Sequence, residues 1–556
     1  MDILKNVDFD EAISKKMLEV GLHNALKYKG KANPGTVISG TLGFFPELKS
    51  DMKRLAMNAN KLVKEINSLD EQSQTNMLLE LDPNAFEKEE KSIFDFLKIK
   101  EGEKVITAFP PGPEKHPHIG HAKALLLNYE LAKKYGGEFI LRFEDTNPKL
   151  VKKEYYEIMR EYFSWLGVKT SKIINASDYM ELYYECCEKL IKSGDAYVCD
   201  ASAEYIKLSR DKGVPTKGRS RSVDENLKLW EEMKTSMPEN TAIVRLKIDL
   251  EHKNSTMRDP TIFRVILSPH AIHKSKYRVY PNYDFQNSIM DGHFNITHRL
   301  RSKEFEMRNE LQRYIQNLLG FKQTNIFEFA RFTIKGVETS GRKIREKIEA
   351  NELIGWDDPS LVTLSALKRR GFMPGAIKEF VLNTGITKNE AVLSFDDLVL
   401  QNRRLLDGKT KKAFFVNDPV LIKVNNAKEI HVNLSSENQK NRIMNINQEI
   451  FISKEDFNKL KTGNVYRLIE AYNIKYLGKN TFEYLDDSVD TFKEKGDFMF
   501  HYVPKEDYKE ISVLMPNKKL VKGYLENQAI KVDEIVNFER FGFCKKDADN
   551  TFWFTH

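Results

Sequence analysis

The sequence predicts an α/β protein that ends in an all-β module, and three observations carry that prediction. Val105 to Phe109 reads as a strand, a Pro/Gly-rich loop follows, and Ala122, Leu125, Leu126, Tyr129 and Ala132 recur at helical spacing. Gly136-Gly137 stops that helix and Glu138 to Phe143 reads as a second buried strand, which completes a βαβ unit. After about Val416 the pattern turns to short alternating strands: Phe498, Phe500 and Tyr502, then Ile511, Val513 and Met515 before a turn at Pro516-Asn517.

At 556 residues the chain is too long for a single core, and usual domain sizes predict roughly three to five domains. Residues 1–100 are highly charged, helically spaced from Met52 to Leu69 and interrupted by the Gly/Pro-containing segment Lys29 to Gly35, so they read as a helical appendage. The βαβ unit opens a sheet domain expected over 101–199 and 278–330, and the polar stretch 200–277, with its basic run Lys217 to Arg221, reads as an insertion into it. Helical spacing returns at Leu361, Leu364 and Leu367 within 331–415, and 416–556 forms the β module. The sequence shows neither repeats nor low-complexity tracts.

Lys plus Arg number 88 against 81 Asp plus Glu, a net charge of +7 that leans toward an anionic partner, although a dispersed solvated surface gives the same count. Cys186, Cys187, Cys199 and Cys544 lack the spacing of a zinc half-site, so free thiols and a reducing compartment are expected. The first residues carry acids where a signal peptide is basic, and no apolar run approaches 18 residues, which predicts a soluble cytoplasmic protein.

The most informative segment runs from Phe109 to Ala124, between the strand and the helix of the βαβ unit. A helix N-terminus offers free N–H groups and partial positive charge, so phosphate is its natural ligand. Gly120 allows close backbone approach, and His118 and His121, three residues apart, can donate to phosphate oxygens as charge develops. Two other readings fit the same residues: a zinc site using His116, His118 and His121, or exposed loop histidines. The absence of a nearby Cys and of any established zinc spacing weighs against the first.

His118-Ile119-Gly120-His121 resembles the HIGH signature of class I aminoacyl-tRNA synthetases. Arg142 to Pro148, Tyr280 to Phe285, Ile296 to Arg301, Trp356 to Pro359 and Phe538 to Phe543 follow in the order found in the glutamyl and glutaminyl members, so the resemblance spans nearly the whole chain. It implies a Rossmann-like catalytic domain with an inserted acceptor-end-binding domain, a helical stem-contact domain and C-terminal β-barrel anticodon-binding domains. Those β domains, together with the S-x-R-K-I-R form of the second signature, are what we associate with the archaeal type of glutamyl enzyme.

The resemblance also implies site residues. Pro110, His118, Gly120 and His121 would meet ATP, and the loop Thr339 to Arg345 matches the second signature, KMSKS, with Lys343 in the phosphate role and Arg342 as the substitute. The lysine usually found at position 341 is replaced by Gly341. Glu144 would take the glutamate ammonium, Arg301 a carboxylate, and Tyr283 and Asn287 would supply hydrogen bonds, core packing being the alternative for those two; Asp145 reads as a turn cap. The family's arginine before Phe-Pro-Pro is Ala108 here, and Arg142 on the adjacent strand is the replacement to examine.

The expected reaction is two-step: a glutamate carboxylate attacks the α-phosphorus of ATP, accompanied by Mg²⁺, and the terminal adenosine of tRNA(Glu) then takes the glutamyl group. Arg219 and Arg221 would hold the acceptor end, and aromatic residues of the β module would stack anticodon bases. A monomer is expected. Charging of tRNA(Gln) stays open, as do two rivals, a glutaminyl enzyme and a tRNA-binding relative without catalysis; the S-x-R-K-I-R loop and Asn287 speak against the first, and His118, His121 and Lys343 against the second.

Overall fold

A computed structural model describes every residue except 1–2, 5–6, 83–84, 86–91, 101 and 437–438. Part of the chain start read for a leader, and residue 101 at the expected domain boundary, therefore lie outside the described residues. The chain forms two compact units, Met1–Asp95 and Phe96–His556.

The first unit is helical: α1 (Glu11–Lys27), α2 (Pro34–Phe44), α3 (Met52–Ile66) and α4 (Glu71–Leu81). Asp10, Asn33, Asp51 and Asp70 cap their N-termini with side-chain oxygens that accept backbone N–H groups. Met17, Leu18, Leu22, Val37, Leu55 and Ile66 form its buried core.

In the second unit β1 (Ile106–Phe109), α5 (Ile119–Lys134) and β2 (Glu138–Phe143) form the expected βαβ unit, with β1 and β2 paired in parallel. After α6 (Lys153–Trp165), β3 (Lys172–Asn175) and α7 (Met180–Lys192) the chain leaves this sheet. It makes an antiparallel four-stranded sheet from β4 (Ala196–Cys199), β5 (Ile243–Leu246), β6 (Thr261–Val265) and β7 (Val279–Pro281), with α8 (Ala203–Lys212) and α9 (Val223–Thr235) between the first two strands. The insertion's own sheet thus begins at Ala196 and ends at Pro281, outside the 200–277 read from sequence; the apolar Ala196-Tyr-Val-Cys199 looks like any buried strand. Then α10 (Tyr283–His293), β8 (His298–Ser302), α11 (Asn309–Leu319) and β9 (Asn325–Phe329) complete an all-parallel sheet of order β3-β2-β1-β8-β9. In such a sheet ligands gather at the carboxyl ends of the central strands, here β2, β1 and β8.

A short parallel pair, β10 (Phe332–Ile334) with β11 (Ala391–Leu393), brackets α12 (Gly341–Glu349), α13 (Leu364–Arg370) and α14 (Pro374–Asn383), and α15 (Phe395–Leu406) follows. Strands begin again at Lys411, five residues before Val416, because Lys411-Lys-Ala413 has no apolar alternation to announce it. Two seven-stranded sheets follow, one confined to 419–504 and the other drawn from 411–417 and 508–554. Bidentate pairs of Arg442 with Glu526 (2.8 and 2.8 Å) and of Arg540 with Asp456 (2.9 and 2.9 Å) tie segments distant in sequence. Among the described residues no helix is long and apolar enough to cross a membrane.

Candidate active site

The loop from β1 delivers His118 as the N-cap of α5, where its Nδ1 accepts the Gly120 N–H at 3.0 Å. His121 lies one turn on, and its Nδ1 accepts the His118 N–H at 3.1 Å. Both Nδ1 atoms are therefore acceptors, so each neutral imidazole carries its proton on Nε2 and keeps that donor for a ligand. Burial pushes His118 down to about 3, helped by the charges of Lys115 and Arg331. Burial likewise holds His121 well below its usual value, with His118, Lys115 and Arg331 adding to it. Pro110 is half-buried at the end of β1.

Gly120 also has a local steric role, beside the backbone approach expected of it. A Cβ there would lie 2.8 Å from Cε1 of His118, so the glycine makes room for the imidazole itself. The His116 ring stacks on Trp356 at 5.1 Å and meets Tyr155 edge-on at 5.8 Å. Among the described residues the nitrogens of His116, His118 and His121 do not gather within the 4.8 Å that a shared metal needs.

A second polar cluster lies at the ends of β2 and β8, under α10. Arg142, fully buried, donates from Nε to Glu144 Oε1 at 3.0 Å and from Nη1 to Asp291 Oδ1 at 2.8 Å. Asn287 Nδ2 donates to the same Glu144 oxygen at 3.2 Å, and Arg299 pairs with Asp291. Arg301 donates from Nη1 to Gln312 Oε1 at 3.0 Å and from Nη2 to Asn309 Oδ1. Burial pulls its guanidinium pKa down, while Tyr283, Asp284 and Glu328 favour the charged form. Tyr283, at the first position of α10, is half-buried against the Phe305 ring at 5.5 Å. Asp145 is a structural cap, accepting from Tyr156 Oη, Ser177 N and Ser177 Oγ at 2.7 Å each, and burial pushes it up to about 6.

Ala108 sits in the middle of this cluster. It pairs with Ile140 on β2, and Thr107 pairs with His298 on β8, so Arg142 and Arg299 stand on the same face at either side of it. Both pair with Asp291. Arg299 and Asp291 were missed from sequence, yet each had a signal: Arg299 precedes Arg301 by two in a strand, and Asp291 follows Tyr283 and Asn287 at intervals of four in a helix.

Several buried polar atoms here have no partner among the described residues: Arg142 Nη2, Glu144 Oε2, Asn287 Oδ1, Arg299 Nε and Nη1, and Arg301 Nε. Leaving such atoms unpaired costs about 1–3 kcal/mol each, so their concentration marks a binding pocket. Acceptors and guanidinium donors occur together, which suits a ligand bearing both an ammonium and carboxylates.

The second signature is not a loop throughout. Ser340 is the N-cap of α12, and Arg342 and Lys343 stand in its first turn, 89% and 66% exposed. Arg342 Nε pairs with Glu346 at 2.9 Å and Lys343 Nζ with Glu338 at 3.6 Å. Two cations in the first turn oppose the helix dipole, a local cost that marks a functional position.

Arg219 and Arg221 are engaged within the insertion. Arg219 donates to Asp259 Oδ2 at 2.8 Å and to the Ile248 carbonyl at 3.1 Å, while Arg221 donates to Asp200 at 2.5 Å and to the Val198 carbonyl at 3.0 Å. A phosphate would have to compete with Asp259 and Asp200, so their first role is to shape this segment.

A family model for the catalytic domain of class I tRNA synthetases of the E and Q group matches residues 104–407, and one for the anticodon-binding domain of that group matches 410–488. A glutamate–tRNA ligase of Pyrococcus abyssi is 38% identical, with 96% of this chain and 97% of the relative aligned. One of Methanocaldococcus jannaschii is 36% identical, with 97% and 98% aligned.

Proposed function

The chain belongs to the class I tRNA synthetases of the glutamate and glutamine group, and from that premise we infer that it is a glutamate–tRNA ligase. It activates L-glutamate with ATP and transfers it to tRNA. The observation that carries the choice of glutamate is the set of unpaired buried atoms between β2, β8 and α10. Glu144 Oε2 and Asn287 Oδ1 accept from the ammonium, and Arg142, Arg299 and Arg301 offer free N–H groups to the carboxylates. Arg142 and Arg299 together cover the position left small by Ala108, and Tyr283 closes the pocket at the start of α10.

ATP then lies with its phosphates at the start of α5. The Nε2–H groups of His118 and His121 donate to phosphate oxygens, and because both rings are neutral they stabilise charge that grows on attack without holding the ground state tightly. Lys343, with Arg342 as its neighbour, leaves its surface carboxylate for the phosphates when α12 and its preceding turn close on the nucleotide. The glutamate carboxylate oxygen bonds to the α-phosphorus as pyrophosphate departs, and no protein nucleophile is needed. Mg²⁺ would be held mainly by the ATP phosphates and would offset their charge, because the side chains around the histidine pair offer donors and cations rather than carboxylate ligands.

The four-stranded insertion, shaped by Arg219 and Arg221, takes the acceptor end of tRNA(Glu), and the β sheets beyond Lys411 take the anticodon. We place the enzyme in the cytoplasm as a monomer. The test is ATP–pyrophosphate exchange with each amino acid in the presence of tRNA: glutamate alone is expected to support exchange, and exchange with glutamine alone would assign the chain to the glutaminyl branch. Charging of purified tRNA(Gln) beside tRNA(Glu) reads whether a second acceptor is used. No exchange with any amino acid would leave a tRNA-binding protein without catalysis.

A further inference from the structure

Four cations beside the ATP-binding segment are already engaged. Arg342 pairs with Glu346, Lys343 with Glu338, Arg331 with Glu304, and Arg345 donates to the Glu114 carbonyl at 3.2 Å. Lys115 differs from all of them. It is half-buried on the loop between β1 and α5, and it makes no hydrogen bond or ion pair with any described residue. An ammonium taken partly out of water without a partner is costly, so a ligand that completes it is expected.

Its position says which ligand. The Lys115 side chain lies over Gly341, the first residue of α12: a Cβ on that glycine would stand 2.5 Å from Lys115 Cδ and 3.5 Å from Nζ. The same ammonium is near enough to His118 and His121 to act on both imidazoles. Lys115 therefore lies between the starts of α5 and α12, in the space that a side chain at 341 would fill. As the chain is folded, the Lys115 side chain occupies the volume into which a side chain at 341 would first project, and a longer residue there would require Lys115 to swing aside.

We propose that Lys115 is a catalytic residue of the nucleotide site, its ammonium held against the ATP phosphates from the β1–α5 loop in the place that a lysine at position 341 would otherwise take. The proposal rests on the ATP-dependent ligase reading above. It assigns the phosphate charge to two sources: Lys115, fixed beside the histidines, and Lys343, which comes with α12. Burial lowers the Lys115 pKa, with Arg331 and Arg345 adding to the shift and Glu114 opposing it.

The test is a reciprocal exchange. ATP–pyrophosphate exchange, with ATP and glutamate varied separately and tRNA present, is measured for wild type, Lys115→Ala, Lys115→Arg and the double variant Lys115→Ala/Gly341→Lys. Lys115→Ala is expected to lower kcat/KM for ATP on the order of a hundredfold while the KM for glutamate moves by less than about twofold. Lys115→Arg keeps most of the activity, and the double variant recovers at least ~tenfold of the loss, because the lysine at 341 enters the volume just emptied. A merely structural Lys115 would not be rescued from 341, and thermal unfolding of each variant reports its fold directly. Wild-type kcat/KM for ATP in Lys115→Ala, or a double variant no better than the single one, overturns the proposal. Exchange by the wild type with glutamine instead of glutamate overturns the substrate reading, while the ATP parameters still decide Lys115.

Discussion

The proposed glutamate pocket and the start of α12 both present cations, but they hold them in opposite ways. In the pocket, Arg142 is fully buried and bridges Glu144 and Asp291 before any substrate arrives. On α12, Arg342 and Lys343 are 89% and 66% exposed and paired with surface carboxylates. Surface pairs of that kind are worth roughly 0–1 kcal/mol and are easily exchanged, whereas breaking a buried pair costs about 3–5 kcal/mol. On the proposed function, selection of the amino acid belongs to the part that cannot rearrange, and phosphate chemistry is shared with a part that can.

The largest effect expected from breaking this contrast is at Arg142. Arg142→Gln leaves Glu144 and Asp291 buried without their shared partner, so urea unfolding should show a loss of about 3–5 kcal/mol and glutamate activation should disappear. Wild-type stability in that variant would mean that the network is not what orders the pocket. Next comes His121→Ala, where loss of one donor to growing charge should slow activation by on the order of a hundredfold in single-turnover assays, with tRNA affinity unchanged. A smaller change is expected at the movable side. Lys343→Ala should lower kcat/KM for ATP by roughly tenfold, the worth of one charge-assisted contact, with an unfolding curve that overlays the wild type. Should Arg342→Ala be the damaging change instead, the two residues exchange roles.

The smallest effect is a predicted absence. Free histidine titrates near 6.5, but His118 is held down to about 3, so the activation rate should show no acid limb near pH 6.5 from this residue. Stability behaves otherwise: below 6.5 the unfolded chain takes up a proton that the native ring refuses, so the native state loses stability as pH falls from 6.5 toward 3. His118→Gln should flatten that fall in urea titrations, and a slope equal to the wild type's would show that the ring is not kept neutral.

Much of this was legible in the sequence because periodicity and motif agree there. The strand, loop and helix around His118 form as their apolar spacing dictates, and the motif order ranks Arg142, Glu144, Tyr283, Asn287 and Arg301 as site candidates. Edges were harder. Ala196–Cys199 belongs to the insertion's sheet because its partner strand comes some 45 residues later, a pairing that local pattern cannot register. The ion pairs of Arg219 with Asp259 and of Arg221 with Asp200 were not legible, because those acids are remote or unremarkable in sequence. Lys115 and Gly341 lie 226 positions apart in numbering, and only the folded chain shows that they compete for one space.

The most direct test of a fixed pocket that selects and a movable helix that serves the phosphates is aminoacylation of transcribed tRNA(Glu) with radiolabelled glutamate or glutamine, by wild type, Arg301→Gln and Lys343→Ala. The two amino acids are nearly isosteric, so charge must separate them, and a site with buried groups paired to one ligand can reject the other by a factor on the order of 10⁴. The wild type should favour glutamate by about that factor, Arg301→Gln should erode the preference with little change in the KM for ATP, and Lys343→Ala should keep the preference while turning over more slowly. Efficient charging with glutamine by the wild type, or a preference that survives in Arg301→Gln and collapses in Lys343→Ala, would contradict the account.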